Sequence, residues 1–398
     1  MRSIGLVGLA VIMLIAWAFS SDRRAVSWRT VAWGLALQFG FAVFVLKTSV
    51  GIGLFGWLSD GATQMMQLAD TGGRFVFGEV ANEQSFGFIF AFKALPLIIF
   101  VSSLFSVLYY FGILQWVVLL MARVMARTMG TSGAESLSGA ANIFLGHTEA
   151  PLLIVPFIPR LTRSELAAVM IVGMGTISAP VLGAFVAMGI EAKYLIAASV
   201  MNAPAGLVIA KILVPETGDP LTRGTVKLDV EKSAVNVIDA AAQGAATGMK
   251  LSLNIAAMLI AFLSLIALIN WPLSAIGLSL EGIFSWGFSP LAFLLGVPWD
   301  EAGRVGLLLG NKLALNEFVA YAELSRLLEE GLVSERTELI ATFALCSFAN
   351  FASIGIQIGG IGSIAPTRQS DIAELGLKAC LGGFLTTLMT AAVAGLLA

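Results

Sequence analysis

The sequence predicts an all-α polytopic membrane protein with eight transmembrane helices and two opposed re-entrant hairpins. Three observations support this fold class: an apolar composition, apolar stretches that recur along the chain, and basic residues that collect on one side of the resulting topology. Of the 398 residues, 58% are hydrophobic and 12% are charged, and the mean hydropathy is +0.91. Soluble domains are about half apolar and about one quarter charged, so the composition excludes a soluble globular domain.

The charged and metal-binding residues exclude several functions. The formal net charge is −2 and no basic block exists, so nothing indicates a nucleic-acid partner. Cys346 and Cys380 both lie in apolar stretches and indicate neither a disulfide framework nor a metal cluster. His147 is the single histidine, which excludes a metal site built from several histidines.

Eight apolar stretches are long enough, or nearly so, to cross a bilayer as helices. The first could instead be the apolar core of a signal peptide. However, Arg23 and Arg24 follow it and no small-residue cleavage site ends it, so we interpret it as a first membrane helix with its N-terminus outside. In chain order the stretches cover residues 4–20, 30–47, 91–116, 165–190, 193–214, 249–271, 337–358 and 376–397.

The basic residues set the orientation of these spans. One segment on the predicted outer side is rich in acidic residues, namely Asp60, Asp70, Glu79 and Glu83. This is the positive-inside pattern, and it predicts that both termini lie outside. The predicted cytoplasmic loops carry Arg23, Arg24, Arg29, Arg123, Arg127, Arg160, Arg163, Arg223, Lys227, Lys232 and Arg368.

Two semi-apolar regions fit this orientation only if they do not cross the membrane: residues 130–160, here named interrupted segment 1, and residues 300–331, interrupted segment 2. Each has a carboxylate near its centre, Glu149 or Glu317, among glycine or proline residues. Irregular backbone at membrane depth is tolerated only where it is buried in protein or lines a wet cavity. We therefore expect each segment to enter and return on the same side, as a re-entrant hairpin.

Each interrupted segment is followed by a spanning stretch that is itself broken by polar or helix-breaking residues, at 173–180 and at 347–353. The chain thus contains a unit of hairpin plus broken helix twice, entering from opposite sides. Inverted repeats with discontinuous helices that meet at the midplane are typical of ion-coupled transporters.

The carboxylates of Glu149 and Glu317 are functional candidates, because an ionisable group at the bilayer centre is costly. Each is either a structural carboxylate at a hairpin tip or an acceptor for a polar solute or a counter-charge for a cation. Asn350 and Ser353 share a helix face, and either bind the solute or only hold helices together.

Asn142 and Thr176 carry oxygen atoms that, with freed main-chain carbonyls, suit an ion of the size of sodium. Two aromatic rings have open roles. Phe348 either stacks on a flat heterocycle or packs in the core. His147 is a neutral hydrogen-bonding group that contacts the solute, a proton-sensitive element or a polar filler.

Four motifs resemble the concentrative nucleoside transporter family along essentially the whole chain. Residues 310–321, GNKLALNEFVAY, meet every fixed position of that family's signature: Gly or Ala, any residue, Lys, three of any type, then Asn-Glu-Phe-Val-Ala and an aromatic or Met. Residues 146–152, GHTEAPL, resemble the family's tip GQTEAPL, and the stretches 347–350 and 235–241 match as well. The length is similar to the short form that bacterial members have.

The resemblance implies a sodium-coupled symporter in the inner membrane that imports nucleosides by an alternating-access, elevator-type mechanism. It also implies a homotrimer whose scaffold (residues 1–112, and 214–271 as linker and sixth helix) supports two halves of a transport domain (residues 113–213 and 272–398). By motif, the nucleoside-binding residues would be His147, Thr148, Glu149, Val181, Leu251, Glu317, Phe348, Asn350 and Ser353, and the sodium ligands Asn142, Leu145 by its carbonyl, Thr176 and Ile177.

Two residues depart from the family pattern. His147 stands where the family usually has Gln, which leaves the preference for purine or pyrimidine bases open, and Val155 stands where it usually has Arg. Proton coupling is the alternative to sodium, although Asn142 and Thr176 favour sodium. An intramembrane enzyme is not expected, because no paired aspartates, catalytic serine and histidine, or His-Glu-x-x-His motif is present.

Overall fold

The computed structural model describes residues 2–87, 89–225 and 234–398, and every helix or strand assigned within these ranges is a helix. This confirms the all-helical prediction. Lys227 and Lys232, two of the basic residues expected in a cytoplasmic loop, lie outside the described residues.

The first part of the chain is a series of helices joined by short turns. They are α1 (Arg2–Ala18), α2 (Trp28–Lys47), α3 (Ser49–Phe77), α4 (Glu83–Phe86), α5 (Phe90–Tyr110), α6 (Ile113–Met129), α7 (Gly133–Ala141), α8 (Arg163–Gly175), α9 (Ala179–Ala187) and α10 (Ala192–Leu213), with 3-10 turns at Gly78–Ala81, Ala150–Ile154 and Ile158–Arg160.

The second part continues in the same way. It contains α11 (Val237–Ser274), α12 (Leu280–Leu294), α13 (Trp299–Ala314), α14 (Glu317–Glu329), α15 (Glu335–Leu345), α16 (Phe351–Ile364) and α17 (Gln369–Leu397), with a 3-10 turn at Pro366–Arg368. Many of these helices begin where a Ser, Thr or Asn side chain accepts a backbone N–H, which satisfies one donor that the first turn leaves free. Such N-caps are Ser27, Thr48, Ser132, Thr162, Asn236, Ser279, Asn316, Ser334 and Asn350.

Within the described ranges, six helical units are long and apolar enough to cross a membrane: α2, α5, α8 with α9, α10, α11 and α17. The number is seven if α12 and α13, which meet at 116°, count as one span. The predicted stretches fall on these units, on the shorter apolar helix α1, and on α15 with α16. The total of eight spans stays a prediction.

The structure differs from the sequence-based expectation at several helices, and one of them, α12, lies outside every predicted stretch and interrupted segment. Helix α3 was not anticipated, because polar residues such as Asp60 and Asp70 interrupt every apolar run in its 29 residues. The stretch 91–116 is two helices, since Gly112 adopts a left-handed φ of 79° between α5 and α6. Helix α11 begins at Val237, well before residue 249, and has 38 residues.

The core of the molecule lies around α10 and α17, which pack against each other and against α8. Small residues allow this close approach. A Cβ added at Gly206 of α10 would lie 3.0 Å from Val172 Cγ2, and one at Gly383 of α17 would lie 2.5 Å from Met174 Cβ. Helix α8 is therefore held on two sides along its length.

Helix α11 packs chiefly against α5, and this contact also depends on glycine. A Cβ at Gly248 would lie 2.7 Å from the Cα of Ile99. Much of the rest of α11 is uncovered, with Ile260 71% exposed and Trp271 79% exposed. Apolar side chains this exposed are suited to lipid or to another protein surface.

A buried ion pair fixes the base of interrupted segment 1. Lys211 Nζ on α10 lies 2.7 Å from Glu135 Oε2 on α7 and donates to Ser164 Oγ at 2.9 Å. Glu135 also closes the capping box with Ser132 at the start of α7. Both charged side chains are almost completely buried, and Lys211 has one further carboxylate partner, Glu216 Oε2 at 3.5 Å. Removing Glu135 therefore leaves Lys211 with a longer and weaker ion pair.

We predict that Glu135→Ala lowers the free energy of unfolding by about 1–3 kcal/mol, because the buried Lys211 ammonium loses its nearest counter-charge and keeps only the partly exposed Glu216, at 3.5 Å. Thermal denaturation in detergent measures this loss. The matched control is Glu374→Ala, which breaks the exposed pair with Arg163 and should change stability by at most about 0.5 kcal/mol. Equal effects of the two substitutions would contradict the prediction.

Candidate functional site

Interrupted segment 1 reverses direction between α7 and a return arm that is not α-helical. After α7 the chain turns through Asn142 to Glu149, and the return arm runs through the 3-10 turns at 150–154 and 158–160. Pro151, Pro156 and Pro159 lie in this arm and lack the N–H that a continuous α-helix needs. The sequence thus explains why the return arm is irregular.

Interrupted segment 2 consists of α13 and α14, which contact each other and are separated only by Leu315 and Asn316. Asn316 caps α14 by accepting the backbone N–H of Val319 at 3.0 Å. Glu317 is therefore the first residue of α14, and it is only 4% exposed.

The two broken helices, α8 with α9 and α15 with α16, meet each other and the tip of interrupted segment 1. The first break lies between α8 and α9, and the second between α15 and α16. The backbone N–H of Phe348 in the second break donates to the carbonyl of Thr176 in the first at 3.1 Å. The N–H of Ala179 donates to the carbonyl of Phe144 at 3.0 Å, which joins the first break to the tip.

A buried polar cluster lies at this meeting point and brings together several of the predicted solute-binding residues. Asn350 donates from Nδ2 to Glu317 Oε2 at 3.0 Å, and its Oδ1 accepts the backbone N–H of Ser353 at 2.9 Å. His147 and Phe348 form an edge-to-face ring pair with centroids 4.9 Å apart. The cluster combines a carboxylate, an amide, a hydroxyl and two rings, which suits a solute with hydroxyl groups and a flat heterocycle.

Glycines on neighbouring helices make room for the tip. A Cβ at Gly173 of α8 would lie 2.9 Å from His147 Cβ, and one at Gly360 of α16 would lie 2.7 Å from Thr148 Cγ2. His147 and Thr148 are thus pressed against α8 and α16. Val181, in the first turn of α9, is completely buried.

Other predicted residues line a cavity of about 790 Å³ beside the tip. Glu149 and Leu145 face it from interrupted segment 1, and Leu251 faces it from α11. The cavity continues along α5 and the first turns of α11, past Gln115 and Gln243. The structure therefore separates the predicted residues into a buried cluster and a cavity wall.

The predicted cation ligands lie around the same tip. Asn142 is completely buried and donates from Nδ2 to the carbonyl of Ser138 at 2.9 Å, while its Oδ1 has no hydrogen-bond partner within the described part of the chain. Thr176 Oγ1 donates to the carbonyl of Val172 at 2.8 Å, and Ile177 is buried beside it in the first break. The fourth predicted ligand is the main-chain carbonyl of Leu145, in the tip itself. These oxygens are neutral, which suits a monovalent cation.

Three polar residues near the site were not identified from the sequence. Ser199 and Asn202, one turn apart on α10, donate to the carbonyls of Ile143 at 2.9 Å and Cys346 at 2.8 Å. Gln357 on α16 donates to the carbonyl of Met170 at 3.0 Å. Gln357 was detectable, because it shares a helix face with Asn350 and Ser353.

A helical membrane protein with two broken helices that meet around a buried polar cluster has the features of a secondary transporter. Family models confirm this class and define the family. The model described as "Na+ dependent nucleoside transporter N-terminus" matches residues 7–80, "Nucleoside recognition" matches 91–192, and "Na+ dependent nucleoside transporter C-terminus" matches 194–395. The chain belongs to the sodium-dependent nucleoside transporter family, the concentrative nucleoside transporters, which are transporters and not enzymes.

Relatives and solved structures agree with this membership. An uncharacterised transporter from Haemophilus influenzae is 46% identical over 98% of this chain and 96% of the relative. The sodium/nucleoside cotransporter 1 of Mus musculus is 44% identical over 99% of this chain, which spans 63% of that cotransporter. The structure of CNTnw in an inward-facing substrate-bound state is 43% identical and covers 99% of this chain and 97% of its own, with a TM-score of 0.95.

Substitutions at Asn350 separate its two contacts. Asn350→Ser keeps the N-cap of α16, because Ser caps helices about as well as Asn, but it removes the donor to Glu317. Asn350→Ala removes both the N-cap and the donor to Glu317, and its free energy of unfolding should be about 1 kcal/mol lower than that of Asn350→Ser.

We predict that both variants lower nucleoside uptake by about tenfold or more, since a hydrogen bond to a charged group is lost. Uptake into proteoliposomes and thermal denaturation measure the two effects, and wild-type uptake by Asn350→Ser would contradict the prediction.

Proposed function

We propose that this chain is a sodium-coupled symporter that imports nucleosides across the inner membrane by an alternating-access, elevator-type mechanism. The observation that carries the proposal is the buried contact between Glu317 and Asn350 at the meeting point of the two breaks. A carboxylate held by one amide donor keeps acceptor capacity for hydroxyl groups of a solute. Family membership supplies the solute class.

In this proposal the ribose binds at Glu317, Asn350 and Ser353, and the base binds toward interrupted segment 1. His147, Thr148, Glu149, Val181 and Phe348 would surround the base, with Leu251 contributing from α11 across the cavity. A buried carboxylate that loses its hydroxyl partners is costly, which explains selection against free bases.

The coupling ion would bind between the tip and the first break, to Asn142, the carbonyl of Leu145, Thr176 and Ile177. The unpartnered Oδ1 of Asn142 supports this assignment, because a completely buried acceptor needs a partner. Sodium would order the tip that carries His147 and so favour nucleoside binding. Such coupling is reciprocal and is typically about 1–3 kcal/mol.

We further propose eight spans, formed by the six long helical units, α1, and the broken pair α15 and α16, with both interrupted segments re-entrant and both termini outside. Residues 1–112 and 214–271 would form the scaffold of a homotrimer, and residues 113–213 and 272–398 the moving part. The packing of α11 on α5 supports grouping the two scaffold segments. The uncovered apolar faces of α3 and α11 are suited to lipid and to other protomers.

The function is tested by uptake of radiolabelled uridine and adenosine into proteoliposomes, with and without sodium at fixed pH. We expect uptake that requires sodium, and a reduction of about tenfold or more in Glu317→Gln, since the carboxylate acceptor becomes a weaker neutral one. Sodium-independent uptake that responds to pH would indicate proton coupling instead. Wild-type uptake by Glu317→Gln would contradict the ribose assignment.

The ion site is tested separately by Asn142→Leu, which replaces an oxygen ligand with an apolar side chain of similar size. We predict that the sodium concentration for half-maximal uptake rises by about tenfold or more, because a ligand is lost and the site becomes partly apolar. Asn254→Leu is the control, since Asn254 is exposed on α11. An unchanged sodium dependence in Asn142→Leu would show that the coupling ion binds at another place.

A further inference from the structure

One buried charge has no role in the function proposed above. Lys312 lies in the last turn of α13 and is completely buried. Its Nζ donates to the carbonyl of Ala344 at 2.7 Å and to Thr387 Oγ1 at 2.8 Å, and lies 5.5 Å from the centroid of the Phe384 ring. All three partners are uncharged, so these contacts hold the ammonium without forming an ion pair.

The contact with Ala344 belongs to a set that satisfies the end of α15. The last carbonyls of a helix lack intrahelical partners and carry the negative end of its dipole. At α15, the carbonyl of Thr342 accepts from Tyr321 Oη at 2.8 Å and that of Ala344 from Lys312 Nζ. The carbonyl of Cys346, just beyond the helix, accepts from Asn202 Nδ2 at 2.8 Å.

Two of these three donors come from interrupted segment 2, and they flank its functional residue. Lys312 precedes Glu317 by five positions, and Tyr321 follows it by one helical turn. Both bind the end of α15, so the turn at Leu315 and Asn316 is anchored on each side. This anchorage holds Glu317 at the start of α14, next to Asn350.

Interrupted segment 1 approaches the end of α8 with a different chemistry. At the corresponding place, where its first arm ends, it carries Asn142, whose buried Oδ1 is an acceptor without a partner. Thr176, just past the end of α8, also contributes an oxygen. Segment 1 thus brings oxygen atoms to a broken helix, whereas segment 2 brings a positive charge.

We propose that Lys312 is a tethered cation that positions interrupted segment 2 for nucleoside binding, at the place in the second repeat where the first repeat binds a dissociable ion. The comparison with the first repeat rests on the sodium site proposed above. The positioning role of Lys312 rests only on its own contacts. It follows that the shape of segment 2 is independent of sodium, whereas the tip of segment 1 depends on it.

The test replaces Lys312 with methionine, whose unbranched side chain is one heavy atom shorter and lacks the amino group. Hydrogen–deuterium exchange of the ligand-free protein is the first measurement. We expect exchange in peptides covering 310–321 to be at least about tenfold faster than in the wild type, because the anchor and its charged hydrogen bonds are lost. Exchange within 130–160 should not change. Unchanged exchange in 310–321 would overturn the proposal, whether or not nucleosides bind.

Binding is the second measurement, by calorimetry with uridine and adenosine at saturating sodium. Lys312→Met should weaken nucleoside binding by about tenfold. Sodium binding is measured separately, by thermal denaturation without nucleoside, and the sodium concentration that gives half of the thermal shift should stay at the wild-type value. Parallel weakening of nucleoside and sodium binding would overturn a role confined to segment 2. A wild-type protein that binds no nucleoside would contradict the proposed function, and the exchange measurement would still decide the role of Lys312.

A milder variant covers the case in which Lys312→Met does not fold. Thr387→Val keeps the β-branched shape in α17 and removes the hydroxyl that accepts from Lys312 at 2.8 Å and donates to the carbonyl of Phe384 at 3.0 Å. It should shift exchange in 310–321 and nucleoside affinity in the same direction, by about threefold. Lys250→Met removes an exposed charge from α11 and should change neither quantity. Wild-type behaviour of Thr387→Val, in the absence of a folded Lys312→Met, would overturn the proposal.

Discussion

The backbone groups freed where α8 and α15 are interrupted need partners inside the protein, because hydrocarbon offers none. The structure meets this need by joining the breaks to each other, through the N–H of Phe348 and the carbonyl of Thr176. The tip of interrupted segment 1 is joined to the first break through Ala179 and Phe144. The polar cluster around Asn350 lies where these bonds converge, so the same constraint that allows the helices to be broken also places the proposed solute-binding groups.

The sequence predicted the elements that have a strong local signal. Long apolar runs predicted the spanning helices, and the carboxylates Glu149 and Glu317 predicted both interrupted segments. It did not predict α3, since an amphipathic surface helix has no continuous apolar run. Within the site, Glu317 contacts Asn350, which lies 33 positions later in the chain. The spacing of residues along one helix cannot predict a contact between two different helices. Ser199 and Asn202 were missed for the same reason, because their partners lie on other elements.

Buried charges in this molecule are stabilised in two different ways. Lys211 has a carboxylate partner in Glu135 and lies at the base of interrupted segment 1, away from the cluster. Lys312 and Glu317 have neutral partners instead, a carbonyl and a hydroxyl for one and an amide for the other. Opposite charges that bind each other directly offset part of the cost of burial. Lys312 and Glu317 lack such a direct partner, and both lie beside the proposed site.

The length of α11 bears on how a solute would reach water. Its 38 residues extend for about 57 Å, whereas the hydrocarbon core of a bilayer is about 30 Å thick. The helix is therefore longer than the hydrocarbon core, and its first turns, with Gln243 and Thr247, line the cavity that Glu149 also lines. In the proposed orientation this end of α11 stands in the cytoplasm. A polar solute released beside Glu149 would contact hydrogen-bonding side chains first and then the aqueous phase. It would reach the cytoplasm without crossing hydrocarbon.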